Sequence, residues 1–520
     1  MARPLTRLAA ALCCCALAFT GCTAPTSTGS GSAEPGATPA PSSAPAATGL
    51  VLGYVPADGF NPYLTPSTLV AQNAGLLFEK LVEIGPDMAL SYRLASGVDC
   101  VENQVILHIR SGCTFADGAP ITAEDAAASL RAAQASGLYG SRFAGVTRLE
   151  VQDGAVVLTL AQPDSLFAYL CDIPVFKASE TALASPTASG RYTYGAAGEL
   201  VRNSRCAFPE AGPETIRLAE VGSYDEMVSG LAVGTLNLYA ASETLESSAS
   251  VASKQTYYRT NNLVFLGVNA AGQQGAAAPN PLLASPGGRA LLSRLIDRRQ
   301  LAEKSYYSRA YPATGAINSF YPCVMAQQSI LAEAELDAAA AGAAFTALGF
   351  QKDPLTGYYQ NADGERLTLR LLVYSGSTYK KYAATLLQQQ LGARGLYLQV
   401  EETDNFDAWS EKVALGDFDL YIGEVKLYNN MDMSPFFEGG GASAGILPSE
   451  ALAAAYASFK HNQSAAGAFE AAFAAEMPFV PLLWRNGVVV HSRDIGGLSP
   501  SLSNVFYSLA DLRFGAAQNS

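Results

Sequence analysis

Histidine is scarce in this chain: three residues in 520, His108, His461 and His491, far apart in sequence. So few imidazoles argue against a bare metal centre built on histidine. Basic residues are outnumbered, 33 against 46 acidic, for a net charge of −13. Such a chain repels phosphate backbones, and no nucleic-acid partner is expected. No Cys-x-x-Cys pair occurs, and the five cysteines that follow Cys22 (Cys100, Cys113, Cys171, Cys206 and Cys323) are odd in number, which excludes a zinc framework. Cys100 and Cys113 could close a hairpin as a disulfide, or all five could be free thiols. No glycine-rich loop has dinucleotide or P-loop spacing. Beyond the first residues, no stretch of about 18 uncharged apolar residues is found, so no later membrane span is expected.

What is present is a core-forming composition, 49% apolar with only 15% charged. At this length two or three domains are expected, because a single core seldom extends past about 250 residues. The N-terminus carries Arg3 and Arg7, an apolar run from Leu8 to Phe19, and then Thr20-Gly21-Cys22. The run is too short to span a bilayer core, which needs about 20 residues. A positive end, a short apolar centre and small residues at the break make residues 1–21 a secretory signal. Residues 22–49 are rich in Ala, Pro, Ser, Thr and Gly with Glu34 the only charge, and read as a flexible tether.

Farther on, the apolar period alternates between two and 3.6 residues. Val105–Ile109 and Ala155–Leu160 read as strands, and between them Thr122 caps a helix with Asp125 completing a capping box. From Leu367 the pattern is strand to Tyr374, helix Thr378 to Leu391 closed by Gly392 or Gly395, strand Leu396 to Glu401, helix Phe406 to Leu415, and strand Phe418 to Gly423. That β-α-β-α-β run predicts a mostly parallel sheet covered by helices.

The stretch Gln104 to Asp125 resembles the signature of the bacterial extracellular solute-binding proteins of family 5, the binding proteins of peptide- and nickel-type ABC importers. The pattern is a strand followed by Gly-x-x-Phe-x-Asp-Gly-x-Pro-x-Thr-Ala-Glu-Asp, matched by Gly112, Phe115, Asp117, Gly118, Pro120, Thr122, Ala123, Glu124 and Asp125. Ile109 and Cys113 replace the usual leucine and valine. Weaker similarities lie at Phe60-Asn61-Pro62, Leu77 to Val82, Ser189 to Tyr192, Leu295 to Arg298 and Pro478 to Leu482. Cys22 resembles the lipidated cysteine of a bacterial lipobox, with Phe19 in place of leucine. The resemblance implies an α/β, two-lobed periplasmic-binding-protein-like fold with an extra domain inserted in the first lobe. On it, lobe one takes residues 50–75, 186–262 and 476–520, the insert 76–185, and lobe two 263–475.

It also implies a function: capture of a peptide or peptide-like solute between lobes and delivery to ABC permease subunits with their ATPases. The protein would be a monomer without a cofactor or catalytic residues, held by its N-terminal lipid on the outer face of the cytoplasmic membrane, or in a periplasm. Ligands of open α/β sheets lie beyond the carboxyl ends of the strands. That rule selects Tyr374 and Ser375 after one strand, and Glu424, Lys426 and Tyr428 after another. Trp484 and Arg485, after the final crossover, are further candidates. In peptide-binding relatives the segment at 423–428 resembles Gly-Trp-x-x-Asp-Tyr, whose aspartate pairs with a peptide α-ammonium. Here Leu427 stands in that place, so a cation on the ligand is expected to be absent or to shift to Glu424 or Asp432. Trp409 reads as core. Two rival readings are a lipid-anchored sensor or adhesin, and a serine hydrolase using Ser443 in Gly441-Ala442-Ser443-Ala444-Gly445 with His461 or His491 as base.

Overall fold

The computed structural model describes residues 49–196, 198–241, 253–272, 278–325 and 336–515. Cys22 and the tether up to Thr48 lie outside them. Two strands organise everything else. Ser253–Val268 and Phe479–Ser492 run antiparallel through the middle of an eleven-stranded sheet, paired from Ser253↔Ser492 to Gly267↔Phe479. Their outer neighbours differ at the two ends. At one end Phe479–Ser492 pairs with Leu238–Ala241, which leads to the parallel strands Val51–Tyr54 and Thr215–Glu220. At the other end Ser253–Val268 pairs with Leu420–Lys426, which leads to Thr368–Tyr374 and Tyr397–Thr403, both parallel. Between the ends the register shifts at Arg259/Asn262. Thr260 and Asn261 sit in that irregularity, both buried, with the Thr260 hydroxyl donating to the Arg485 carbonyl at 2.7 Å.

Each end has its own apolar core. One gathers Leu266, Leu371, Leu387, Ile422 and Phe479; the other gathers Leu52, Leu107, Phe115, Leu158 and Ile216. The molecule is a mixed α/β protein of two lobes, joined by the long strands.

The predicted β-α-β-α-β run is found, as Thr368–Tyr374, Thr378–Ala393, Tyr397–Thr403, Phe406–Leu415 and Leu420–Lys426. Its first helix opens on Ser377, whose hydroxyl accepts the Lys380 N–H, and its chain reversal uses Gly395 at φ +85° rather than Gly392. One boundary differs in a way that matters. The third strand extends to Lys426 because Val264, Leu263 and Asn262 supply a continuous partner for Glu424, Val425 and Lys426. Those three residues therefore belong to the strand, not to a loop after it.

The signature segment builds a separate four-stranded antiparallel sheet, ordered Ala95–Val101, Gln104–Ile109, Ala155–Leu160, Val146–Gln152. The helix Ala123–Ala135 has the predicted capping box: Thr122 Oγ1 accepts the Asp125 N–H, and the Asp125 carboxylate accepts the Thr122 N–H. The other Asp125 oxygen accepts the Ala178 N–H at 2.8 Å, Asp117 pairs with Lys177, and Phe115 is buried. These signature residues hold loops together, which makes the signature a folding device. All five described cysteines are free thiols, so Cys100 and Cys113 are not bridged. Among the described residues no helix is long and apolar enough to cross a membrane.

Candidate functional site

Glu424 faces the helix Thr378–Ala393 from its strand, and the chain brings two cations to it. Arg485 Nη1 is 2.6 Å away and Lys380 Nζ 3.3 Å, while Asn262 Nδ2 donates at 2.9 Å. Burial works to raise the Glu424 pKa, but Lys380 and Arg485 outweigh it and hold the carboxyl below its usual range. The Arg485 guanidinium also lies over the Tyr379 and Tyr306 rings, at 5.4 and 5.9 Å. Of the residues selected from sequence, Glu424 and Arg485 are thus brought together, as partners. A carboxylate already matched by two cations is a poor anchor for a third.

Tyr374 and Ser375 stand apart from that cluster. The Tyr374 ring meets Phe406 edge-on at 5.4 Å, and the Ser375 N–H donates to the Thr403 carbonyl at 2.9 Å. Trp484 is 0% exposed, in register with Leu263 and Tyr311, and lies inside the core. Trp409, expected in the core, is half-buried and packs against the core's edge, 5.8 Å from Tyr421. Leu427 is 3% exposed with its N–H on the Asn261 carbonyl, so an apolar side chain fills the place of the expected aspartate.

Lys426, Tyr428 and Asp432 reach open space. A cavity of about 420 Å³ lies between the helix Thr68–Leu77, the segment 501–505 and the end of the Leu420–Lys426 strand, lined by Gln72, Lys426, Asn429 and Ser503 among others. A larger cavity of about 660 Å³ lies between residues 141–170, which belong to the signature module, and residues 428–461. Tyr428 and Asp432 are on its wall, with Leu160, Phe167, Phe437 and Ala457. Arg142 lines both cavities and is ion-paired with Asp172 at 2.8 Å. The two cavities share Arg142 on their walls; the smaller borders the long strand Ser253–Val268 through Tyr258, and the larger lies wholly between the signature module and residues 428–461. Pockets of this size and mixed lining suit small organic solutes.

Sequence reasoning missed Arg142, Asp164, Asn429 and Asn430. The two asparagines lie just past a selected segment, and following the chain two residues beyond Tyr428 would have found them. Arg142, in the 3-10 turn Gly140–Phe143, and Asp164, in the loop after the strand Ala155–Leu160, come from a distant part of the chain and carry no local signal.

Ser443 is not a nucleophile elbow. It lies in a turn, and its hydroxyl donates to the Gly440 carbonyl at 2.7 Å. The two histidines considered as its base are engaged elsewhere: His461 is 3.7 Å from Glu102, and His491 bonds Thr256 at 2.9 Å. Among the described residues, no group of three His, Cys, Asp or Glu side chains could hold a metal ion.

The family model of the bacterial extracellular solute-binding proteins, family 5, matches residues 83–446, more than half of the chain. The chain belongs to this family. Family 5 proteins are a solute-binding, non-enzymatic class. No curated protein sequence matches the chain. Solved structures similar to it include a nickel ABC transporter protein of Bacillus halodurans, 14% identical with a TM-score of 0.69, over 89% of this chain and 99% of that one. The ABC transporter substrate-binding protein CtaP of Listeria monocytogenes is 18% identical with a TM-score of 0.62, over 90% and 99%. The oligopeptide-binding protein AppA of Bacillus subtilis, solved with a nonapeptide, is 15% identical with a TM-score of 0.52, over 90% and 99%. At these identities the likeness is one of fold.

Proposed function

We propose that this family 5 member is the substrate-binding lipoprotein of an ABC importer, capturing a peptide or peptide-like solute and delivering it to a membrane permease and its ATPases. The observation that carries the reading is the pair of adjoining cavities, of about 660 and 420 Å³, that share Arg142 on their walls. Cavities of this size suit a short chain of residues better than a single ion. The similar protein solved with a nonapeptide supports the peptide class. The dispersed histidines, one on Asp99, one near Glu102 and one on Thr256, offer no imidazole cluster for nickel.

Of the domain division proposed above, the separation of lobe two from the rest is supported by the two apolar cores, while the insert shares its core with lobe one. Cys22 is the anchor in this reading, and the segment up to Thr48 is the spacer that lets the lobes reach the permease as a monomer. A single acyl chain gives only marginal membrane binding, so more than one chain on Cys22 is required.

One experiment addresses both parts. The full chain carrying Cys22→Ala should move from the membrane fraction to the supernatant. Denaturing the purified protein should release a peptide or peptide-like molecule, identified by mass spectrometry. Retention in the membrane fraction overturns the anchor. Release of a saccharide or a metal chelate overturns the solute class.

A further inference from the structure

The long strand Ser253–Val268 carries two residues that its partner does not match. Arg259 pairs with Asn486 and Asn262 with Arg485, so Thr260 and Asn261 face no residue of Phe479–Ser492. Extra residues on one strand bend it locally. Both are buried, and their carbonyls need partners outside that ladder. The Thr260 carbonyl accepts Asn318 Nδ2 at 3.1 Å, and the Asn261 carbonyl accepts the Leu427 N–H at 2.9 Å. Both donors belong to lobe two. The bend is therefore clamped to that lobe, and the clamp sets the direction in which the strand leaves for lobe one.

The Asn261 side chain closes the clamp. Its Oδ1 accepts Asn318 Nδ2 at 3.2 Å, and its Nδ2 donates to the Tyr321 hydroxyl at 2.7 Å and to Asn429 Oδ1 at 3.3 Å. The Tyr321 hydroxyl in turn donates to the Asn429 carbonyl at 2.7 Å. Tyr321 is 0% exposed, out of reach of any solute. Asn429 is not: it lines the cavity of about 420 Å³, together with Tyr258, two residues before Thr260 on the long strand. One hydroxyl thus joins a residue of the cavity wall to the amide that holds the bend. The Tyr321 ring makes a separate contact, with the ring of Tyr169 in the signature module at 5.0 Å.

We propose that Tyr321 is a positioning residue for closure: its hydroxyl couples the wall of the smaller cavity, at Asn429, to the bend of the long strand, at Asn261. The assignment rests on the solute-binding reading and deepens it. A solute against Asn429 fixes that residue, and Tyr321 and Asn261 hold the bend with it, so the lobes keep one relative orientation. Without the hydroxyl, Asn261 Nδ2 keeps only its 3.3 Å bond to Asn429, and wall and bend move independently.

The test compares Tyr321→Phe with Tyr311→Phe in the full chain. Tyr311 is the matched control, because its hydroxyl accepts Asn318 Nδ2 at 2.9 Å in the same network, while Tyr311 lines neither cavity. Both variants keep their rings, so the contact with Tyr169 survives. Hydrogen exchange is followed without added solute at two amides: Leu427, whose acceptor is Asn261, and Ser165, whose acceptor Lys460 lies across the larger cavity. Tyr321→Phe should speed both by about three- to tenfold, the range for one lost hydrogen bond, and leave the Leu107 amide of the four-stranded sheet as before. Tyr311→Phe should leave Ser165 unchanged. Retention of a pool of synthetic random tripeptides, quantified by mass spectrometry, should fall by the same factor in Tyr321→Phe and stay at the parent's level in Tyr311→Phe. Equal effects of the two variants at Ser165, or none from Tyr321→Phe, overturn the inference and leave the solute reading standing. Speeding at Leu107 as well means a general loss of stability and overturns it too. If the parent retains no tripeptide, the peptide reading falls, and exchange at Ser165 decides the coupling alone.

Discussion

Glu470 is the residue whose surroundings say most about how the site is held. It sits on the helix Ala466–Glu476, fully buried, and its two oxygens accept the N–H groups of Ala316 at 3.0 Å and Ile317 at 2.6 Å. A Cβ at Gly315 would lie 2.3 Å from one of those oxygens, so only glycine admits the contact. The next residue, Asn318, donates to the carbonyl of Thr260 at 3.1 Å and to Asn261 at 3.2 Å, which ties the carboxylate to the crossing of the long strands. Burial raises the Glu470 pKa from its ordinary 4.5 to about 7, against the lowering effect of the two N–H groups. A folded pKa above the unfolded one means that the contribution to stability is complete below pH 4.5 and is lost as pH rises through 7. The difference amounts to about 3 kcal/mol. The neighbouring Cys323 thiol, pushed up to about 11 chiefly by burial, does not titrate in this window. Urea unfolding should therefore show Glu470→Gln less stable than the parent at pH 4.5, because its amide NH₂ must face one backbone N–H. The gap should narrow by about 3 kcal/mol towards pH 8. A gap that does not change with pH would remove Glu470 as the titrating group.

Among the elements, those with local reasons to form were legible. Thr122 and Asp125 announced a helix start, and the capping box is there with both bonds made. Thr122→Ala should lower unfolding stability by about 1 kcal/mol without changing solute affinity, because the helix lines neither cavity. Calorimetric unfolding beside a binding titration checks both halves. The run from Thr368 to Lys426 was legible for a different reason. Its strands are buried and apolar enough to stand out, and its helices begin on Ser377 and Asn405, which cap. The long strand Ser253–Val268 was not. Its first half alternates irregularly and is partly exposed, and Thr260-Asn261-Asn262 interrupts it where the register shifts. Its length depends on partners more than 150 residues away. The site fared likewise. Glu424, Lys426 and Tyr428, on one strand or just after it, could be selected as candidates, but that Lys380 and Arg485 neutralise Glu424 follows only from the sheet's assembly. Trp484 shows the same limit: its place beside a crossover suggested a cleft, and pairing on both sides buried it.

At the scale of the whole molecule, the signature module grips the far lobe across the larger cavity. The Ser165 N–H donates to the Lys460 carbonyl at 2.7 Å and the Ser165 hydroxyl to the Phe459 carbonyl at 2.8 Å, beside the Asp164–Lys460 ion pair. Tyr169 meets Tyr321 at 5.0 Å a few residues on. A solute that touches both walls binds the gripped state more tightly than the open one and stabilises it by that differential affinity. The Ser165 amide reports that state directly, since its partner lies on the other side of the cavity. With solute at a hundredfold excess over Kd, the open state is disfavoured by about 2.7 kcal/mol. Hydrogen exchange at the Ser165 amide should then slow by about a hundredfold. Amides inside the four-stranded sheet, such as Leu107, whose partners Val98 and Val156 belong to the same module, should exchange as before. Equal slowing at both places would mean general stabilisation rather than closure, and no slowing at Ser165 would mean that the solute binds without engaging the grip.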